Sequence, residues 1–508
     1  MEKDFFIIEG KMLDENQIKS IINDEINNLV IASAGSGKTT TIVGKVKYLL
    51  NIKSYKKEEL LVLSFTNNSA KEMKERIKKE TNEEIDVMTF HKLGLTIIQT
   101  YSNNKPNLLT NDISEVLLIM IKKLILNEEY MKKVITFVYK PKNKKVIDAL
   151  YLESKYNYLI LYDLLPLFSS FLTLVKQKNL TSDQLYISNN KHYKQFLTIF
   201  LPLFDEYQSY LKDNNFLDFN DMINQSITII KNSLLHLPYS YIIVDEYQDI
   251  SKSRFELIKA IKDMNNSKLF CVGDDFQCIF SFAGSELDYF VNFDKYFGYY
   301  NKTIIDKTYR FNQSLANIAG NFVMKNKKQF KKHTTSMIKD NSFGISIIIA
   351  NSNNDLLNKL IIILQNLPNF STIFLLGRYK KDIEFIKQSA AFFTKKKKYL
   401  EIIYEKRIDL DINFLTIHES KGLQADYIFI LNNKNATLGF PSKIVDTKIL
   451  NIIKENKETY PYSEERRLFY VAITRAKKKT FLLGINKEES IFLKELQRKY
   501  KTKLKKNS

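Results

Sequence analysis

Lys38, Thr39, Asp245 and Glu246 are the side chains whose types and settings could act together on a phosphate. Ala32, Ser33, Ala34, Gly35, Ser36, Gly37, Lys38 and Thr39 read ASAGSGKT, and Thr40 follows. The string has the length and ending of a G-x-x-x-x-G-K-[ST] loop, with alanine where the first glycine belongs. In such a loop backbone N–H groups cradle phosphates, the lysine reaches the outer ones, and the hydroxyl suits Mg²⁺. Alanine serves wherever positive φ is not needed, so Ala32 does not rule the loop out. A second cluster lies in YIIVDEYQDI, residues 241–250. Asp245 could hold Mg²⁺ beside Thr39, while Glu246 could orient or deprotonate an attacking water. Alone, the first string could be a Gly/Ser turn and the second a strand-to-helix cap. Together they read as the two halves of a nucleotide site.

Such halves need strands to present them. Asn28 to Ala32 is a short apolar run that fits a buried strand, and residues 40–46 can open a helix whose amides face an anion. LLVLSF at 60–65 reads as a strand followed by an amphipathic helix over 69–79. YIIV at 241–244 and LFCV at 269–272 are further strands ending in polar residues. This is the grammar of a parallel sheet with ligands at its carboxyl ends. Residues 105–217 change to long segments of helical period, which predicts a helical insertion. Strand signals resume near 303, with GISIIIA at 344–350, TIFLL at 372–376, FLTI at 414–417, YIFIL at 427–431 and TFLL at 480–483.

The 508 residues leave room for two to four domains, and 44% hydrophobic with 26% charged residues fits a globular protein. No apolar stretch reaches membrane-spanning length, and MEKDFFIIEGK lacks the features of a secretion signal. Only Cys271 and Cys278 occur, so neither a disulfide framework nor a zinc site is expected, and a cytoplasmic setting is the default. A net charge of +20 points to a polyanionic partner. Part of that charge fits the Lys/Asn/Ile bias of A·T-rich coding sequence, and the lysines at 395–398 and the tail RKYKTKLKKNS could simply be solvated.

Taken in order, ASAGSGKTT, TFH, VDEYQD, VGDDFQCIFSFAG, TYR, TIHESKGLQ and EERRLFYVAITRA resemble the motif series of UvrD/Rep-type helicases of superfamily 1. The similarity covers nearly the whole chain and is greatest to the bacterial DNA helicase IV branch, without that branch's N-terminal extension. It implies an α/β fold of two RecA-like P-loop NTPase cores. Residues 1–104 with 218–300 would form the first core, 105–217 a helical insertion, 301–490 the second core, and 491–508 a basic tail. The large accessory subdomain of other members would be absent or a stub near 379–411, and no nuclease domain is expected after Arg475.

The resemblance also implies roles. Gln17 would read the adenine edge, and Tyr309 would stack on the base with Arg310 beside the γ-phosphate. Gln277 would sense that phosphate, and Arg475 would reach it from the second core. ATP and Mg²⁺ are the implied cofactors. Gln424 stands where the family has an acidic residue linked to the ribose. Phe280 and Phe282 would stack on bases, and Phe65, Thr66, Thr89, His91, Thr416 and His418 would line the same DNA channel. Ala283 replaces an arginine common after the second aromatic. The implied partners are single-stranded DNA and duplex junctions, with translocation from 3′ to 5′. An alternative is a DNA-activated ATPase that unwinds little and serves a protein partner such as a nuclease. No base-reading module is visible, so recognition should rest on backbone and stacking.

Overall fold

Apolar runs ending in polar residues become buried parallel strands in both halves of the chain. The computed structural model describes residues 3–101, 106–154, 159–232, 237–444, 447–454, 458–500 and 505–506. The first sheet has six parallel strands, in the spatial order Asn301–Ile305, Asn27–Ala32, Lys268–Gly273, Tyr241–Val244, Leu60–Ser64 and Asp86–Thr89. Asn27–Ala32 and the next of these strands in sequence, Leu60–Ser64, are separated in space by two later strands. Such a switch opens a crevice at the carboxyl ends. Asn301–Ile305 corrects the expected boundary at residue 300, because it pairs with Asn27–Ala32 and closes the edge of the first sheet.

The insertion is helical, as its period predicts, with Ile113–Leu124, Glu128–Tyr139, Lys144–Ser154, Leu159–Gln177 and Lys191–Asp213. Phe171 meets Phe196 and Phe200 edge-on in its core, at centroid distances of 4.7 and 4.5 Å. A short helix from the second half, Lys448–Ile453, adds Ile449, Leu450 and Ile453 to this same apolar cluster.

In the second sheet, strands Asp411–Thr416, Thr372–Gly377, Ala425–Ile430, Ala476–Ile485 and Ile345–Ala350 run parallel in that spatial order. The segment at 379–411 forms short helical turns and a hairpin, Phe392–Lys396 with Leu400–Tyr404, which extends the sheet antiparallel at its edge. The expected basic tail also needs correction. Ile491–Lys499 is a helix whose Phe492, Leu493 and Leu496 are buried in the second core, while its charged face stays outward. Residues 501–504 and 507–508 lie outside the described residues, and Lys505–Lys506 pairs with Ser346 and Ile347. No described helix is long and apolar enough to cross a membrane. Both cysteines are free and buried.

Candidate nucleotide site and nucleic-acid interface

The phosphate loop leaves Asn27–Ala32 and turns into the helix Lys38–Asn51. Gly35 and Gly37 take φ of 75° and 78°, the left-handed region that glycine enters without strain. A Cβ on Gly35 would lie 2.7 Å from both Arg310 Cβ and Thr308 Oγ1, so the second half of the chain sits hard against the loop. Ala32, Ser33 and Ala34 are buried beneath it. The Ala32 carbonyl accepts from Lys332 at 2.9 Å, Ser33 Oγ from Thr334 at 2.9 Å, and the Ala34 carbonyl from Thr308 at 2.8 Å. These three residues brace the loop, and residues 35–40 face a cleft of about 410 Å³.

Asp245, Glu246, Gln277, Tyr309, Arg310, Gln424 and Arg475 line the same cleft. Lys38 Nζ meets Glu246 Oε1 at 2.8 Å, and Gln248 donates to the other oxygen of Glu246 at 2.5 Å. Burial pushes the Glu246 carboxyl up, but the cations of Lys38 and Lys421 outweigh it and hold the group below its usual range. For Asp245 the balance is reversed: burial and the adjoining Glu246 charge raise it. The two adjoining carboxyls repel each other when both are charged, and a cation between them would relieve that repulsion. Asp245 and Thr39 offer oxygen atoms only, the donor set that suits Mg²⁺.

Two guanidinium groups complete the cleft from the second core. Arg310 donates to Gln424 Oε1 at 3.0 Å and to the Thr474 carbonyl at 3.1 Å. Arg475 is 1% exposed and donates to Gln277 Oε1 at 2.9 Å. Burial, and then the Arg310 charge beside it, push Arg475 down to about 9. Gln277 in turn donates to Asp274 at 2.6 Å, so its amide joins the two cores. Two neighbouring cations, Arg475 buried and Arg310 partly so, favour an anion beside them.

Gln17 lies beside the phosphate loop. Its amide accepts from the Asp14 N–H at 2.9 Å and donates to the Ser36 carbonyl at 3.1 Å, which caps one helix and pins the loop. Tyr309 is 44% exposed at the mouth of the cleft, with its hydroxyl on Asp14 at 3.0 Å.

The aromatic strip lies beyond Gln277. Phe282 is 60% exposed, and Phe280 is partly buried. Their rings are 5.9 Å apart, and His418 from the second core packs 5.4 Å from Phe282 and 6.0 Å from Phe280. Thr416, at the strand end, hydrogen-bonds Glu419 at 2.8 Å. In the first core Phe65 lies under the Arg254 guanidinium at 4.8 Å and against Phe90. His91 packs on the exposed ring of Phe219. Thr66 caps the helix Asn67–Thr81, and Thr89 accepts from the Lys92 N–H.

The profile described as UvrD/REP helicase N-terminal domain matches residues 13–298, more than half of the chain, and the UvrD-like helicase C-terminal domain matches 398–487. The chain belongs to the UvrD/REP helicase family. It is 29% identical to DNA helicase IV of Escherichia coli K12, over 97% of this chain and 71% of that protein. A probable DNA helicase of Mycoplasma pneumoniae is 24% identical over 96% of this chain and 87% of its own length. The ATP-dependent DNA helicase PcrA of Staphylococcus aureus Mu50 is 27% identical, over 63% of this chain and 40% of its own.

Within this UvrD/REP helicase, three site residues escaped the sequence reading. Arg76 lines the cleft and donates to Thr40 Oγ1 at 2.9 Å. Lys332, fully buried, meets Asp274 at 2.5 Å and Asp275 at 2.7 Å, with its ammonium 4.0 Å from the Phe276 ring centroid. Lys421 pairs with Asp249 and donates to the Gln277 carbonyl at 2.7 Å. Lys421 stands in the string TIHESKGLQ, but Arg76 and Lys332 sit among other basic residues that give no local signal.

Proposed function

We propose that this chain is an ATP-dependent DNA translocase and helicase that couples hydrolysis in the cleft to strand movement over the aromatic strip. One observation carries the reading: Lys38 and Glu246 of the first core and Arg310 and Arg475 from the second line one cleft, and Gln277 links that cleft to Phe280 and Phe282. When bound, ATP supplies the phosphoryl group to be transferred and Mg²⁺ neutralises part of its charge. The loop amides and Lys38 would hold the phosphates, Thr39 and Asp245 the metal ion. Glu246, released from Lys38, would orient and deprotonate water. Arg310 and Arg475 would meet the charge that develops, a task best done by groups already fixed in place.

The family resemblance supports 3′ to 5′ movement on single-stranded DNA, with repair, recombination or phage defence as settings. ATPase rates with and without single-stranded DNA test the motor, and strand displacement by the purified chain tests unwinding. DNA-stimulated hydrolysis without displacement would favour a translocating ATPase that works for a partner such as a nuclease. The absence of any DNA stimulation would defeat both readings.

A further inference from the structure

We propose that the hairpin tip at residues 395–398 is a contact surface for the DNA phosphate backbone, beside the strand end that carries Thr416 and His418. The inference rests on the DNA-motor reading above. Register places the tip. Lys396 pairs with Leu400, Leu400 with Phe414, and Thr416 ends the strand two residues beyond Phe414. The turn closes with the Lys397 N–H on the Tyr399 carbonyl at 3.0 Å. It therefore projects at the carboxyl-end edge of the second sheet, level with Thr416. Neighbouring strands are ~4.8 Å apart, which puts the tip roughly 5–10 Å sideways from that strand end.

Charge and exposure agree with this placement. Lys395, Lys396, Lys397 and Lys398 are all exposed. Lys397 is held by Glu401 at 2.7 Å, and the Lys398 ammonium lies 5.2 Å from the Tyr399 ring. Lysines also protect edge strands from pairing with other chains, and for that purpose any position along the strand will do. Here the outer strand begins Phe392, Phe393, Thr394, with Phe393 54% exposed, and its charge is gathered at the end beside Thr416. Edge protection does not explain that distribution. A strand of DNA leaving Phe282 and His418 along this edge would pass its phosphates within reach of three flexible ammonium groups, each able to displace a condensed counterion.

The test is DNA affinity as a function of salt, for the full chain and for Lys395→Ala/Lys396→Ala/Lys398→Ala, with a fluorescent single-stranded oligonucleotide and with the same oligonucleotide carrying a duplex arm. The expected result is weaker binding and a log–log salt slope shallower by about 0.7 for each single-strand phosphate that the variant no longer neutralises. Arginine at the three positions should restore the wild-type slope. A change with both probes assigns the tip to the single strand, and a change only with the junction probe assigns it to the duplex arm. Unchanged slopes with both probes would overturn the proposal and leave the motor reading standing. Failure of the wild-type chain to bind either probe would overturn both.

Discussion

Arg475 donates from its guanidinium to Oε1 of Gln277 across 2.9 Å, tying the turn that leads into Ala476–Ile485 of the second core to a turn at a strand end of the first. The pair is buried, and Gln277 has its other amide group on Asp274. Arg475→Ala should reduce DNA-stimulated ATP hydrolysis by roughly 10²-fold or more, the scale of removing one charge-stabilising donor. Gln277→Ala should cost less, and the double variant should fall short of the summed effects because the two side chains share one bond. Near-normal hydrolysis by Arg475→Ala would remove the two-core cleft from the mechanism.

Phe282 separates stacking from packing. Its ring is 60% exposed, so Phe282→Ala should leave the melting temperature within a degree or two. Loss of a base-stacking face, worth ~1–3 kcal/mol, should weaken single-stranded DNA binding roughly tenfold or more and reduce the DNA-stimulated part of the ATPase. Phe282→Tyr should preserve both. A large drop in melting temperature would make Phe282 a core residue.

DNA affinity should fall linearly with salt on a log–log plot, with a slope near −0.7 per phosphate neutralised on single strands. Oligonucleotides of different sequence should bind alike. A flat salt response would leave coding bias as the whole source of the +20 charge.

Lys332 brings a buried positive charge to two buried carboxylates. Lys332→Met should destabilise the protein by about 3–5 kcal/mol, because Asp274 and Asp275 would lose the buried cation they share. Chemical denaturation measures this directly. A loss below about 1 kcal/mol would mean that the carboxylates find other compensation.

Acid should weaken the fold through two histidines. Burial, with Arg254 beside His91 and with Arg378 and Lys421 beside His418, pushes both imidazoles down to about 4. Unfolded imidazole titrates near 6.5, so the unfolded chain takes up protons first as pH falls from about 6.5 towards 4. Their stabilising share is complete above that window and is lost within it. Buried carboxyls with raised values, such as Asp249, pull the other way. The informative quantity is therefore the difference between wild type and a His91→Gln/His418→Gln variant across that range. Parallel pH profiles for the two would show that the imidazoles are not held neutral by the fold.

Most of the first sheet and the nucleotide cleft could be read from the chain, because their signals are local. Tyr241–Val244 is an unbroken apolar run with its carboxylates directly after it, and the Gly35 and Gly37 turn is a matter of backbone freedom. Asp86–Thr89 and Asn301–Ile305 gave no comparable signal, since each is short and begins on polar residues. Gln17 shows another limit. The family resemblance implies base reading for it, but its place in a capping box is set by three-dimensional geometry that the resemblance does not give. Lys332 is the plainest case. Lys325, Lys327, Lys328 and Lys331 surround it in sequence and keep contact with solvent, and only tertiary packing selects the one that goes inside.

The Lys448–Ile453 helix gives the helical insertion a second attachment. The first is to the first core, through the chain itself and through Lys176, which meets Asp218 at 2.5 Å and Asp221 at 2.7 Å. The second is the apolar contact of Ile449, Leu450 and Ile453 with the insertion's own interior. A beam held at one point can swing freely, but a beam held at two must follow both supports. Rotation of one core against the other therefore has to shear that contact or turn the insertion with it. The insertion thus bridges the two halves of the chain, and displacing either half against the other would load the contact of Ile449, Leu450 and Ile453.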